Sequence, residues 1–423
     1  MKQKITILLL FFTGILSAQQ TEKVTLDQCL QSAVEHYPNA GQLSLNRDIS
    51  DLNIKNIKTN YYPTLELNGQ ASWQSDVTKI PEIPIPALNV KSIPNDWYKI
   101  NLDVTQMIYD AGVTSGQKNV ELAKLAVNNQ KIQIELYQLK ERINNLFFNI
   151  VYQNKNVKIL QVLKKTLEAR IKEANVALDN GMLLPADVDA LKVELYSADQ
   201  KIIEIEENIN ALVKALNEQT GLDIQSADDL VVPQVTIDNY DFENNRPEYI
   251  LLNRQQEQVM SLKKLASSKR LPVLLAFGQA GYGRPGYDFL NTNFDDYYMI
   301  GLRLKWKIWD WGKVKREKQV FDLQNNLLIT QKKTFNQNLR SDLFKRIGEI
   351  KKYEKIIGTD KTIVELQKNV VNTSENKLKD GTITSTTYLI EVNKLVKANL
   401  NLEAHKLQLV FAKYQYLTVI GKL

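Results

Sequence analysis

One cysteine and two histidines are all that 423 residues contain of those two residue types. A lone Cys29 excludes an internal disulfide framework, so packing alone must hold the fold. His36 and His405 are too few for a histidine-based metal centre, and neither stands in a metalloprotease helix motif. The nucleophile elbow of hydrolases and the phosphate loop of nucleotide hydrolases are missing as well. Basic residues exceed acidic ones by only six, and they are spread along the chain rather than gathered, so the expectation is no nucleic-acid partner. No proline interrupts the stretch from Gly112 to Gly181.

Among what is present, the N-terminus reads as a secretory signal over residues 1–18. Lys2 and Lys4 precede the apolar run Ile5 to Phe12, and Leu16-Ser17-Ala18 precede Gln19. The run is too short to span a bilayer as a retained helix. Removing it takes two lysines and no acid, which lowers the net charge from +6 to +4. Cys29 shares a helix face with Leu26, Leu30 and Ala33 and is expected to be a small core residue.

The chain repeats itself. Asp110-Ala111-Gly112 returns as Asp310-Trp311-Gly312, Asn180-Gly181 as Asp380-Gly381, and Gly221 as Gly421, all at an offset of 200 residues. Farther upstream, Tyr62-Pro63 pairs with Leu271-Pro272, and Pro38 with Pro247, at an offset of 209. The difference falls in a stretch that holds Pro81, Pro84, Pro86 and Pro94, where a loop tolerates insertion. The expected organisation is a first repeat over 19–223, with a helix, a strand pair at about 64–109 and a helical hairpin at about 112–221. A linker at 224–245 leads to a second repeat over 246–423, with strands at about 273–309 and a hairpin at about 312–421.

The strand pairs alternate with a period of two. Leu65, Leu67 and Ala71 interleave with Glu66, Asn68 and Gln70, and Tyr98, Ile100, Leu102 and Val104 with Lys99, Asn101 and Asp103. Tyr298, Ile300, Leu302, Leu304, Trp306 and Ile308 interleave with Arg303, Lys305 and Lys307. One face suits lipid and the other water, over about the 9–11 residues that a tilted membrane strand needs. Tyr98, Tyr297, Trp306 and Trp309 are expected as interfacial aromatics. Four strands cannot close a barrel, and open edges cannot face lipid, so the strands must be pooled; three copies would supply twelve.

Heptads fill the rest. Leu136, Ile143, Ile150, Val157, Lys164, Ile171 and Leu178 recur every seven residues, and Val188, Leu195, Ile202, Ile209 and Leu216 form a returning seam. At 1.5 Å per residue the first helix would run about 100 Å. Gly281-Tyr282-Gly283-Arg284-Pro285-Gly286 spells a dinucleotide-like pattern, but no helix is expected after it, so it reads as a hairpin loop. His405 lies within a seam and is expected to be packed or locally hydrogen-bonded.

Taken with Val24-Thr25-Leu26-Asp27-Gln28-Cys29-Leu30, Tyr62-Pro63-Thr64-Leu65, the two Asp-x-Gly turns and the two tips after Gly181 and Gly381, the mature chain resembles the TolC-type outer-membrane efflux proteins. The resemblance implies a mostly α fold with a small β part, in which long coiled-coil hairpins form a periplasmic tunnel. Four transmembrane strands per chain would join a shared trimeric twelve-stranded barrel. It implies a non-enzymatic exit duct without cofactor or metal, in the outer membrane and extending into the periplasm, as a homotrimer working with a periplasmic adaptor and an inner-membrane pump. On this resemblance Gly181, Leu184, Asp187, Val188, Gly381 and Thr387 are adaptor-docking tip residues, and Asp110, Gly112, Asp310 and Gly312 make the strand-to-helix turns. Thr387 stands where relatives commonly carry a constricting acid, which leaves Glu391, or Asp187 and Asp189, for a gate. A periplasmic adaptor, or a coiled-coil scaffold of the envelope, is the alternative reading.

Overall fold

The structure, a computed structural model, describes residues 23–78, 93–237, 239–240, 242, 244–289 and 291–422. The signal segment 1–18 and Pro81, Pro84 and Pro86 lie outside the described residues. In chain order the elements are β1 (Val24–Thr25), α1 (Leu26–His36), α2 (Gln42–Lys58), β2 (Thr64–Trp73), β3 (Asp96–Tyr109), α3 (Val113–Asp179) and α4 (Pro185–Thr220). They are followed by β4 (Leu230–Val231), α5 (Pro247–Ser268), β5 (Val273–Arg284), β6 (Asp295–Lys305), α6 (Lys313–Lys379) and α7 (Ser385–Ile420). The fold is mostly helical with a small β part. Helices α3 and α6 each run 67 residues, and α4 and α7 each run 36. Among the described residues no helix is long and apolar enough to cross a membrane.

Two compact units divide these elements. One holds α1, the strands β1 and β4, α4, α7 and the C-terminal parts of α3 and α6. Its core is the heptad seam: Leu139, Ile143, Ile150 and Leu167 of α3 are buried with Val188, Leu191, Ile202, Ile209 and Leu216 of α4. Cys29 is fully buried in the same cluster, and burial pushes its thiol up to about 11. Where the seam breaks at Lys164, the ammonium leaves the apolar line and pairs with Asp199 at 2.6 Å. His405 Nδ1 lies 2.5 Å from Asp360 Oδ2, with the Tyr353 ring beside it, so the local partner expected for this histidine is a carboxylate. Thr25 caps α1 through its hydroxyl, which accepts from Gln28 N–H at 3.3 Å, and β1 pairs in parallel with β4.

The second unit holds α2, α5, the N-terminal parts of α3 and α6, and a four-stranded antiparallel sheet in the order β2-β3-β5-β6. Register follows the alternation. Glu66, Asp103, Gln279 and Met299 form one cross-strand row, and Leu67, Leu102, Ala280 and Tyr298 form the next. Helix α2 and the turns that flank it meet α3 through amides rather than through an apolar seam. Asn39, Asn53 and Asn60 donate to Glu135, Glu121 and Gln117 at 3.0, 3.0 and 2.9 Å.

Three expectations need correction. Strand β6 ends at Lys305, so Trp306 and Ile308 lie beyond the paired ladder. Two of the three glycines of the dinucleotide-like pattern are not in a loop: Gly281 and Gly283 are inside β5, while Gly286 lies beyond its end. A Cβ on Gly281 would sit 2.5 Å from the Tyr297 ring, and one on Gly283 would sit 2.6 Å from the Tyr98 carbonyl, so only glycine lets these strands pair. Tyr297 is not on the face of Tyr98 and Tyr298. Period two places it opposite, in the polar row with Asn68 and Asn101.

Candidate functional site

The sheet carries two chemically opposite faces. On one, Leu65, Leu67, Ile100, Leu102, Val104, Tyr298, Ile300, Leu302 and Leu304 are all exposed, Ile300 to 80%. That is a contiguous apolar surface over four strands, far from what a water-facing sheet displays. On the other face Asp103 gathers amides: its carboxylate accepts from Asn68 and Asn101 at 2.7 Å each and from Gln279 at 2.6 Å. Tyr287 donates in turn to the Gln279 side-chain Oε1 at 2.6 Å, and its ring meets Tyr297 edge to face. The outer edges of β2 and β6 pair with no strand among the described residues.

The two strand-to-helix turns are built alike. Asp110 accepts from Gly112 N–H at 2.9 Å and Thr114 N–H at 2.5 Å, capping the start of α3. Asp310 does the same for α6 through Gly312 at 2.9 Å and Val314 at 3.0 Å. Ala111 and Trp311 take φ of 56° and 55°, followed by Gly112 and Gly312 at 80° and 72°, a left-handed pair in which the carboxylate holds the strained residue. Tyr61 adds a third donor to Asp110 at 2.6 Å, and this bond pushes its own hydroxyl up to about 12. Burial opposes ionisation of Asp110, but the hydrogen bonds from Thr114, Tyr61 and Gly112 outweigh it and hold the carboxyl below the ordinary carboxylate range. At Asp310 the Val314 amide is the main cause of the same downward shift.

In the other unit the two hairpin tips adjoin one another. Gly181 and Gly381 both have positive φ, 72° and 68°. Each ends its helix with the same pair of bonds: Gly181 N–H to Leu178 and Met182 N–H to Ala177, Gly381 N–H to Leu378 and Thr382 N–H to Lys377, all within 2.8–3.0 Å. The next helices start differently. Pro185 opens α4, and Asp187 accepts from Leu184 N–H at 3.2 Å. In the second tip Thr384 caps α7 by accepting from Thr387 N–H at 3.3 Å, and the two hydroxyls lie 3.0 Å apart. Asp187 and Thr387 are thus both committed to their first helical turns.

Between the tips lies a recess of about 460 Å³, lined among others by Met182, Leu183, Asp187, Ile383 and Tyr388. Leu184 is 68% exposed and Met182 70%, whereas Val188 is 1% exposed and belongs to the core. Of the tip residues named from sequence, Leu184 presents an apolar side chain to the outside and Val188 does not. Glu391 points elsewhere: its carboxylate accepts from Gln367 at 2.9 Å and Lys394 at 2.8 Å. Lys394, then Gln367, hold it below its ordinary range.

Sequence reasoning missed the group behind the tips. Arg170 of α3 reaches Glu375 of α6 at 2.5 Å and Glu173 at 2.6 Å, and its guanidinium lies 5.2 Å from the centre of the Tyr388 ring. Lys379 adds a contact to Glu375 at 3.1 Å. Arg170 and Glu375 are far apart in sequence and occupy no repeat-related positions, so no spacing signal existed to find them.

No protein-family model and no curated protein matches the sequence. Solved structures do match. The outer membrane protein VceC of Vibrio cholerae superposes with a TM-score of 0.69 at 14% identity, covering 94% of this chain and 96% of that one. The CmeC outer membrane channel of Campylobacter jejuni gives 0.64 at 14% identity, over 94% and 85% of the two chains. The MtrE outer membrane channel of Neisseria gonorrhoeae, in its open state, gives 0.67 at 16% identity, over 94% and 88%. At such identities likeness speaks for the fold, and the chain shares its fold with these outer-membrane channels.

Proposed function

We propose that this chain is the outer-membrane exit duct of an efflux or secretion system, with its strands in the membrane and its helical hairpins in the periplasm. The observation that carries the reading is the four-stranded sheet with an exposed apolar face, a polar face and two unpaired edges. Water would penalise the first face, and lipid would penalise the open edges, since each unsatisfied backbone group costs several kcal/mol there. A second and third copy closing a twelve-stranded barrel remove both penalties, with the apolar face toward lipid and the Asp103 row toward the lumen. Exposed apolar residues along α6, including Leu323, Leu327 and Phe344, fit the same assembly of copies.

On this reading the chain is two repeats, each a strand pair followed by a helical hairpin. Both tips face a periplasmic adaptor, and that adaptor connects to an inner-membrane pump. Leu184 and Met182 are the apolar contacts offered to the adaptor, Gly181 and Gly381 set the reversals, and Asp187 and Thr387 hold the helix starts. Glu391, tied to Gln367 and Lys394, is a candidate element of the closed periplasmic end. The duct has no chemistry to perform, so it carries no catalytic group or cofactor, and the fold alone does not select cargo.

Fractionation tests the reading. The chain should remain with outer membranes through carbonate and high-salt washes and leave only in detergent. Release by salt or carbonate would instead place it among peripheral envelope proteins such as an adaptor or scaffold.

A further inference from the structure

The two strand-to-helix junctions share their backbone but not their charge. Between Asp103 and Lys118 the only cation is Lys118, whereas the corresponding stretch from Arg303 to Lys318 holds seven: Arg303, Lys305, Lys307, Lys313, Lys315, Arg316 and Lys318. The even spread of charge expected from composition therefore fails at this one place. The acids within the stretch do not neutralise it. Asp310 is occupied by the Gly312 and Val314 amides, and Glu317 is a single charge.

Among the described residues, Lys305, Lys307, Lys313 and Lys315 are exposed and make no ion pair. Interleaved with them, Trp306, Ile308, Trp309 and Trp311 are exposed by 56%, 66%, 70% and 80%. Trp309 and Trp311 pack edge to face on each other and are otherwise open to the surroundings. The register Val273↔Lys305 brings Lys269 and Arg270, at the end of α5, to the same end of the sheet. A set of cations alone would be a solvated surface. Cations alternating with uncovered indoles, directly beyond the last apolar strand residue Leu304, require surroundings that are apolar and anionic at once.

Lys305, still within β6, shares the Asp103 face, and Arg316 donates to the Trp311 carbonyl at 2.9 Å, which leaves Lys307, Lys313 and Lys315. We infer that this junction docks on anionic phospholipid headgroups at the membrane interface, the indoles seated at headgroup depth and Lys307, Lys313 and Lys315 on the phosphates. The occupant follows from continuity and charge complementarity. The patch extends the apolar face proposed to meet lipid, and lysine stems lie along apolar surface while their ammonium groups reach polar headgroups. The first repeat's junction, with Met107, Ile108 and Tyr109 in the matching positions, has the apolar part without the charge. Each subunit would hold anionic lipid on one side only.

This inference rests on the membrane reading, and its test separates the two. The full chain, purified in detergent containing equimolar phosphatidylglycerol and phosphatidylethanolamine, is passed over a sizing column and its retained lipid is quantified by mass spectrometry. Phosphatidylglycerol should be enriched about five-fold or more, as expected for even one engaged cation. The enrichment should fall to near unity in K307Q/K313Q/K315Q and in wild type at high salt. It should persist in K307R/K313R/K315R and in K345Q/K355Q/K361Q/K368Q, which removes exposed lysines elsewhere on α6. A wild-type ratio near one, or an unchanged ratio in the glutamine variant of the junction, overturns the inference while leaving the duct intact. A chain that stays monodisperse without any detergent overturns the membrane reading and this inference together. The high-salt arm needs no variant, so misfolding of the triple substitution cannot hide the answer.

Discussion

Asn53 on α2 donates its amide to Glu121 on α3 at 3.0 Å, the third rung of a ladder in which Asn39, Asn46, Asn53 and Asn60 stand seven residues apart. Replacing a buried apolar seam with amide bonds makes this contact directional, because each rung forms only in one register. Asn53→Leu should therefore leave Glu121 without its donor and cost about 1–3 kcal/mol in that unit. Hydrogen exchange should rise along α2 and leave α4 unchanged. Unaltered exchange in α2 would mean the rung contributes nothing.

That ladder also shows what the sequence could and could not reveal. The asparagine period of seven was visible, yet a search for apolar repeats passes over it, since amides signal a heptad only when a partner helix is known. The apolar heptads and the alternating strands were legible because burial imposes one period on each. Tyr297 went astray for a related reason: near a strand end, one residue of slip exchanges the faces. The Gly281 and Gly283 pair looked like a loop because glycine marks both loops and close strand approach, and only the facing Tyr297 ring and Tyr98 carbonyl distinguish them. Arg170 and Glu375 meet through tertiary packing alone.

Charge on the apolar face should be costly where charge on the polar face is not. Leu102→Arg and Leu302→Arg should each destabilise the membrane-inserted state by roughly 2–4 kcal/mol near the midplane. Asn101→Arg, on the opposite face of the same strand, should insert nearly as wild type. Heat-modifiability on gels and urea resistance in detergent would read both, and equal tolerance at Leu102 and Asn101 would mean neither face meets lipid.

Acid should loosen the strand-to-helix turns. The carboxyl of Asp110 is depressed in the folded chain, so its contribution is complete above the unfolded value near about 4 and is lost as pH falls through the folded value. Asp110→Asn should reduce stability at neutral pH and flatten the dependence below about pH 4. An acid-unfolding profile that the substitution leaves unshifted would show that the turn is held by its backbone alone.

At the tips, turn and contact residues should separate. Gly181→Ala puts a side chain at φ 72° and should cost about 1 kcal/mol without touching a neighbour, since nothing lies within 4 Å of the added carbon. Leu184→Asp together with Met182→Asp should leave expression, assembly and insertion intact and abolish export in cells lacking the wild-type chain. Normal export by that double variant would remove these residues from the docking surface.

The central claim is that four strands per chain become a pore only when copies are pooled. Mass measurement of the detergent-solubilised protein, combined with planar-bilayer recording on the same fraction, addresses it most directly. The account requires a particle of three chains that conducts in discrete steps, and no conductance from single chains. A stable monomer that conducts would contradict it.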